Sequence, residues 1–323
     1  MSDKPIVAVT RKIPEAGLKL FPESFDVRVS PHDRPLTAQE LNAFVKGASA
    51  ILSQLTDKID SKVLEAVGKQ LKIVANYAVG FDNIDLAAAK KRKVIITNTP
   101  NVLTEAVAEH AFALMMAASR RIVESDKFLR SGKYKGWAPG LLLGQQLEGK
   151  TLGILGLGRI GSRVAEIGSL GYKMKVIYFD RGQRNRELDA KIGSEPASMR
   201  RVLTASDFIS IHVPLSAQTK HMIGKQELSS MKKTTVLINT ARGPIIDERA
   251  LAQALKNKTI FAAGLDVFEF EPEVIPTLKK LDNVTITPHT ASATIEARDG
   301  MAATAAGNII AVLSGKVPLN PVQ

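Results

Sequence analysis

A chain of 323 residues has room for two domains of ordinary size, and 45% hydrophobic with 24% charged residues is the balance of a globular protein that buries its own core. The absence of cysteine excludes a disulfide scaffold, thiol catalysis and any cysteine-ligated metal site. A formal charge of +12 raises nucleic-acid binding, but the basic residues are scattered in short runs (Lys90–Lys93, Arg184–Arg186) and aromatic residues at 5% offer no stacking platform, so a solvated basic surface that gathers small anions is the better reading.

The N-terminus runs directly into an apolar strand pattern, with no charged-then-apolar leader. No apolar run reaches the roughly 18 residues that cross a bilayer, and the expectation is a cytoplasmic protein. Short β-branched runs then alternate with helical stretches. The strand candidates are Ile6–Thr10, Val27–Ser30, Ala50–Ser53, Ile73–Asn76 and Val94–Asn98, followed by Thr151–Leu155, Lys175–Phe179, Phe208–His212, Thr235–Asn239, Ala262–Asp266 and Val284–Thr287. Nearly all are apolar along their whole length, as strands covered on both faces are, and the intervening helices imply right-handed βαβ units and parallel sheets. Two stretches leave this rhythm. From Thr104 to about Arg130 the pattern stays helical, with Thr104 as N-cap, and a strandless Gly/Pro-rich segment, Ser131–Gly149, follows it. The last segment, Ala291 to about Ser314, is again helical and rich in alanine.

The strongest local signal is Gly156-Leu157-Gly158-Arg159-Ile160-Gly161. A strand precedes it, a helical stretch (Ser162–Leu170) follows, and a second strand ends in Asp180, 19 residues beyond Gly161. That is the full context of a dinucleotide fingerprint: Gly156 for the tight turn, Gly158 for backbone approach to the pyrophosphate, Gly161 for close helix–strand packing. Asp180 is placed to accept hydrogen bonds from the adenosine ribose, which favours NAD. Arg181, with Arg184 and Arg186 close by, offers cations to a 2′-phosphate, which leaves NADP use open.

Of five histidines, His32 and His221 point to no site, and His110 reads as a structural member of its helix. His212 (His212-Val213-Pro214) and His289 each end a strand, and strand ends in such sheets face the ligand crevice. A histidine there can exchange a proton near neutral pH. Two other strand ends carry charge. Thr240-Ala241-Arg242-Gly243 presents a planar two-pronged donor suited to a carboxylate and its neighbouring carbonyl. The run Gly264 to Pro272 holds Asp266 and Glu271, and a carboxylate close to His289 would hold the imidazole and favour its protonated form.

These motifs, together with Ala75–Asp85 and Thr287–Ser292, occur in one order from about Pro5 to Pro318, and in that order the chain resembles the D-isomer-specific 2-hydroxyacid dehydrogenase family, in its glyoxylate/hydroxypyruvate reductase branch. The resemblance implies an α/β protein of two Rossmann-like domains with parallel sheets, one flavodoxin-like and one dinucleotide-binding. The substrate domain would be discontinuous, residues 1–99 and 290–323, with the dinucleotide-binding domain, 100–289, inserted and the cleft closing over both ligands. It implies a catalytic trio of Arg242, Glu271 and His289, and substrate held by the Val79 and Gly80 backbone, Arg242 and Trp137. Around the cofactor it places the residues of the glycine turn (Gly156, Leu157, Gly158, Arg159, Ile160, Gly161), then Asp180, Arg181, His212, Val213, Pro214, Thr240, Ala241, Arg242, Asp266, His289 and Ala291. The implied activity is reduction of small 2-oxo acids with NAD(P)H, to the D form where the product is chiral. The implied assembly is a homodimer joined through the cofactor domains, with Trp137 reaching the partner's active site; no metal, nucleic acid or membrane enters. Two departures bear on substrate rank and cofactor: Thr290-Ala291 stands where many glyoxylate reductases have Ile-Gly, and Asp180 where NADP-using members usually lack an acid. A D-lactate or broad-specificity D-2-hydroxyacid dehydrogenase, and a non-catalytic NAD-binding regulator, are the alternatives.

Overall fold

The structure, a computed structural model, describes residues 4–182 and 184–322. Residues 1–3 and 323, the ends of the expected substrate domain, and residue 183, in the expected dinucleotide domain, lie outside it. The chain forms two compact units. One comprises Met1–Leu103 with Ala293–Gln323, and the other is Thr104–Ser292.

The first unit is built on β1 (Ile6–Val9), β2 (Asp26–Val29), β3 (Ala50–Gln54), β4 (Ile73–Tyr77) and β5 (Ile95–Thr97). They lie in the order β2-β1-β3-β4-β5, parallel throughout, which is the flavodoxin-like arrangement. Every residue of β4, and all of β3 but Gln54, are buried or nearly so, which is why these strands read as apolar runs without alternation. The core on one face joins Ala8, Ile51, Val74 and Ile96 to Val63 and Leu64 of the helix Ser61–Val67. On the other face lies the C-terminal helix Ile295–Leu313, which meets β4 and the short helix Glu15–Leu18. Gly17 is required there, since a Cβ would collide with Ala302, and Tyr77 donates from its hydroxyl to the Arg298 carbonyl over 2.7 Å.

The second unit contains β6 (Thr151–Leu155), β7 (Lys175–Phe179), β8 (Glu195–Pro196), β9 (Phe208–Ile211), β10 (Val236–Asn239), β11 (Ala262–Leu265) and β12 (Val284–Ile286). Their order is β12-β11-β10-β9-β6-β7-β8, again all parallel. The connections run outward in one direction from β6 to β8 and in the other from β9 to β12. Strand order therefore reverses between β6 and β9, and a crevice opens at their carboxyl ends. Helix Thr104–Ser119 packs against β10, β11 and β12 on one face.

The strands expected from sequence all form, with ends that move by a residue or two. The unexpected strand, β8, is a two-residue edge piece containing a proline and carries no hydrophobic pattern to read. Helices differ more. The helical stretch expected through Arg130 breaks after Ser119, because Arg121 adopts a left-handed conformation (φ 54°) and its guanidinium clamps Glu124 at 2.7 Å. Thr104 is the first residue of its helix. The helix after the glycine turn starts at Arg159, earlier than expected, and after Glu166 widens into a π-turn, Ile167–Gly171. Ser131–Gly149 is free of strand, as expected. Among the described residues no helix is long and apolar enough to cross a membrane, and no cluster of His, Asp and Glu has the makings of a metal site.

Candidate active site

Four of the expected residues converge at the carboxyl ends of β10, β11 and β12. His289 follows β12 in a left-handed conformation (φ 53°), with its backbone N–H on the Asp266 carbonyl at 2.9 Å. That bond turns the side chain out of the strand line, and Nδ1 lies 2.9 Å from Glu271 Oε2. The other Glu271 oxygen accepts the Phe268 N–H at 2.9 Å, so the carboxylate is held from both sides. With Nδ1 on a carboxylate, Nε2 of the imidazole is the nitrogen left to meet a substrate.

Asp266, fully buried, serves a different purpose from the imidazole's partner. Its Oδ1 accepts from Thr287 Oγ1 (2.6 Å) and Thr290 N (2.7 Å), its Oδ2 from Ala291 N (2.8 Å). His110 Nε2 lies 3.5 Å from the same carboxylate and 3.0 Å from Thr287 Oγ1. Burial works to raise this carboxyl, but hydrogen bonds from His110, Thr287 and the two amides outweigh it and hold it below the usual carboxylate range. Asp266 thus ties the residues on either side of His289 to β11. His110 joins this group unannounced by the sequence, where a lone histidine in an Ala-rich helix carries no signal, and Thr287, which opens the Thr287–Ser292 motif but carried no assigned role there, joins it too.

Arg242 lies just beyond β10, in extended backbone. Asn239 shapes its turn, donating to the Arg242 carbonyl (2.9 Å) and accepting from the Ala241 N–H (3.0 Å), while Arg242 Nη1 donates to the Ala241 carbonyl (2.8 Å). Gly243 allows the next contact: a Cβ there would collide with the backbone of Phe268 and Glu269. The Arg242 turn and the Glu271 turn are therefore in direct backbone contact.

The glycine turn fits a dinucleotide. Gly156 has φ 95°, and a Cβ on it would press on His212 and Val213 across the β6–β9 junction. A Cβ on Gly161 would collide with the Gly156 carbonyl, whereas the space beside Gly158 is open. Helix Arg159–Glu166 begins at Gly158 with no side-chain cap, so its N-terminal N–H groups are available to phosphate oxygens. Asp180, exposed at the end of β7, accepts from Leu157 N and Gly182 N, each at 2.6 Å. Arg181 is exposed beside it, whereas Arg184 is committed to Asp189 at 2.6 Å. Thr240 Oγ1 is buried without a partner among the described residues. Val213 and Ile160 are half-buried, and Arg159 and Pro214 exposed, around the same turn.

His212 Nε2 lies 2.8 Å from Ser210 Oγ, and burial pushes its imidazole down to about 3. A histidine is ordinarily near 6.5, so between about pH 6.5 and 3 the unfolded chain takes a proton that the folded chain refuses. Stability is then lost as pH falls through that window. Thermal unfolding of the wild type should decline more steeply toward about pH 4 than that of His212→Asn. Parallel acid limbs would show that His212 contributes nothing to acid lability.

In the first unit, Val79 and Gly80 follow β4. Their carbonyls are tied down by Asn98 Nδ2 (2.8 Å) and Asn76 Nδ2 (2.9 Å), and Asn76 is itself buried between Ser53 and Asn83. Among the described residues neither N–H of this pair donates to a protein acceptor. The strandless segment of the second unit leaves Trp137 82% exposed, with Leu143 at 64%.

Comparison with known proteins gives concordant results. Residues 112–291 match the family model for the NAD binding domain of D-isomer specific 2-hydroxyacid dehydrogenases. A glyoxylate reductase of Thermococcus litoralis is 48% identical over 324 residues, covering 99% of this chain and 97% of that protein. Among solved structures, a Thermus thermophilus protein superposes with a TM-score of 0.92 at 39% identity, over 98% of this chain and 100% of that one. An NADPH-dependent glyoxylate/hydroxypyruvate reductase from Sinorhizobium meliloti, solved with NADP and malonate, gives 0.86 at 33% identity, over 99% of this chain and 97% of that one.

Proposed function

Since the chain belongs to the D-isomer-specific 2-hydroxyacid dehydrogenase family, in its glyoxylate/hydroxypyruvate reductase branch, and is thereby an NAD(P)-dependent oxidoreductase of small 2-oxo acids, we propose that it reduces glyoxylate and hydroxypyruvate with NADH as the preferred cofactor. The observation that carries the catalytic part is the His289–Glu271 contact at 2.9 Å, made by a turn in direct backbone contact with the turn that bears Arg242. A regulator that only bound NAD would need no such proton donor.

In this reading Arg242 binds the 2-oxo acid through its carboxylate and polarises the carbonyl, and the Val79 and Gly80 N–H groups take the carboxylate as well. The bound nicotinamide supplies the hydride for the carbonyl carbon. His289, protonated and held by Glu271, gives its proton to the carbonyl oxygen, so that hydride and proton together convert C=O to CH–OH. In the reverse direction the same nitrogen removes the hydroxyl proton. Met1–Leu103 with the C-terminal helix serves as the substrate unit, and Thr104–Ser292 as the cofactor unit. The exposed apolar side chains of Ile122, Leu129, Trp137 and Leu143 support a homodimer formed through the cofactor unit with Trp137 at the partner's site, which a mass measurement in solution tests.

NADH is favoured because Asp180, an exposed carboxylate that already shapes the glycine turn, would repel a 2′-phosphate. Initial rates for glyoxylate, hydroxypyruvate and pyruvate with NADH and NADPH in parallel test both halves of the reading, and dominance of pyruvate would favour a D-lactate dehydrogenase instead. Asp180→Ser should move the cofactor ratio toward NADPH by about tenfold or more, with Arg181 as the new partner. A wild type that already prefers NADPH tenfold, about 1.4 kcal/mol, contradicts the reading of Asp180.

A further inference from the structure

Glu248 opens the helix Glu248–Lys256 and is 3% exposed, an unusual place for a first-turn glutamate. Both of its oxygens are committed to backbone amides of a distant turn: Oε2 accepts from Glu269 N at 2.7 Å, and Oε1 from Ile275 N at 3.0 Å. These two amides bracket Glu271. Within the bracket the turn closes on itself through Glu273 N to the Phe270 carbonyl at 2.8 Å. The exchange is reciprocal, because Glu248 N points at Glu269 Oε2 over 3.3 Å. Glu269 Oε1 in turn faces His221 Nε2 at 2.7 Å, and His221 N donates to the Pro244 carbonyl at 2.8 Å, two residues past Arg242. Of the other charged groups at this end of the helix, Asp247 caps Ala250 N at 2.9 Å and Arg249 is exposed.

Burying a carboxylate is costly unless its oxygens are satisfied, and an apolar side chain would hold a helix against a loop at lower cost. What a carboxylate does that an apolar side chain cannot is fix two particular N–H groups in direction. Here they are the amides that set the height and pitch of the Glu271 turn. Resting on the reading of His289 and Glu271 above, we propose that Glu248 is a positioning residue of the reaction: through Glu269 N and Ile275 N it holds the Glu271 carboxylate against His289 and locks that turn to the Arg242 turn, with the Glu269–His221 pair as the second strut.

The test compares Glu248→Ala, Glu248→Gln, Glu271→Gln and the double variant Glu248→Ala/Glu271→Gln in glyoxylate reduction with NADH, following kcat, the KM for NADH and the pH profile, alongside thermal unfolding. Glu248→Ala should lower kcat between about 10-fold and 100-fold, the scale of a small misplacement of a catalytic group, with the KM for NADH little changed. The pH profile of its reduction, falling limb included, should change in the same way as that of Glu271→Gln. Glu248→Gln keeps one carbonyl acceptor and should recover part of the loss; it carries the test if the alanine variant fails to fold. The double variant should be no slower than Glu271→Gln alone. If Glu271→Gln moves the limb while Glu248→Ala and Glu248→Gln lower only the unfolding temperature, or if the losses multiply in the double variant, the positioning role is wrong and the catalytic reading stands. If Glu271→Gln leaves both kcat and the limb unmoved, the reading of Glu271 falls and the proposal with it.

Discussion

Replacing His289 with alanine should slow reduction of every 2-oxo acid by about 10²–10⁴-fold, the usual worth of general acid–base assistance, while NADH still binds with nearly wild-type affinity. The separation of the two effects follows from where His289 sits. Its Nδ1 is taken by Glu271, its backbone is tied to Asp266, and the glycine turn that would hold the pyrophosphate belongs to a different part of the sheet. Removing the imidazole therefore removes a proton donor without touching the cradle. Stopped-flow measurement of NADH oxidation, beside NADH titration by fluorescence, gives both quantities. A His289→Ala protein that turns over within a few-fold of wild type would place the proton donor elsewhere.

Arg242→Gln should be of comparable size but of different kind. A guanidinium in contact with a carboxylate and a carbonyl makes charge-assisted hydrogen bonds of about 1.5–3 kcal/mol each, so losing two is worth about 10²–10⁴-fold in kcat/KM. The loss should appear for every 2-oxo acid and should leave NADH affinity unchanged. Arg242→Lys should restore only part of it, since a single ammonium cannot match a two-pronged acceptor. The turn itself should survive the loss of the Nη1 bond to the Ala241 carbonyl, because Asn239 grips the backbone on both sides of Ala241 and Gly243 admits the Phe268–Glu269 backbone. Steady-state kinetics with glyoxylate, with far-UV and thermal unfolding controls, check it. A substitution that raises KM for NADH as much as that for glyoxylate would assign Arg242 to the cofactor alone.

The sheets were legible because strands covered on both faces leave continuous apolar runs, and the glycine turn because close backbone approach admits few other residues. His289 and Arg242 were visible for a simpler reason: each is a charged or titratable group at the carboxyl end of an apolar strand. Glu271 was not visible in that way. It stands five residues beyond Asp266 in an irregular turn, and nothing in its spacing says which of the two carboxylates meets the imidazole. Resemblance alone pointed to it, and the hydrogen bonds show why the choice is not local: Asp266 is spent on Thr287, Thr290 and Ala291, which leaves His289 to Glu271. Glu248 was further out of reach, since a glutamate in a helix's first turn reads as a solvent-facing complement to the dipole. The helix break at Arg121 escaped for a related reason, because a left-handed arginine has no compositional mark.

The return of the chain to its first unit sets an order of assembly. Helix Ile295–Leu313 supplies one wall of the N-terminal sheet, and Val322 N bonds the Ile96 carbonyl at 2.9 Å, so one face of that sheet lacks its cover until residues 295–322 have been synthesised. Residues 104–292 are continuous and need nothing from either end to complete their own sheet. On a ribosome the inserted unit is thus the first able to close, although it is the second to be translated. The first hundred residues must wait, with an apolar sheet face open, for a helix that arrives nearly two hundred residues later.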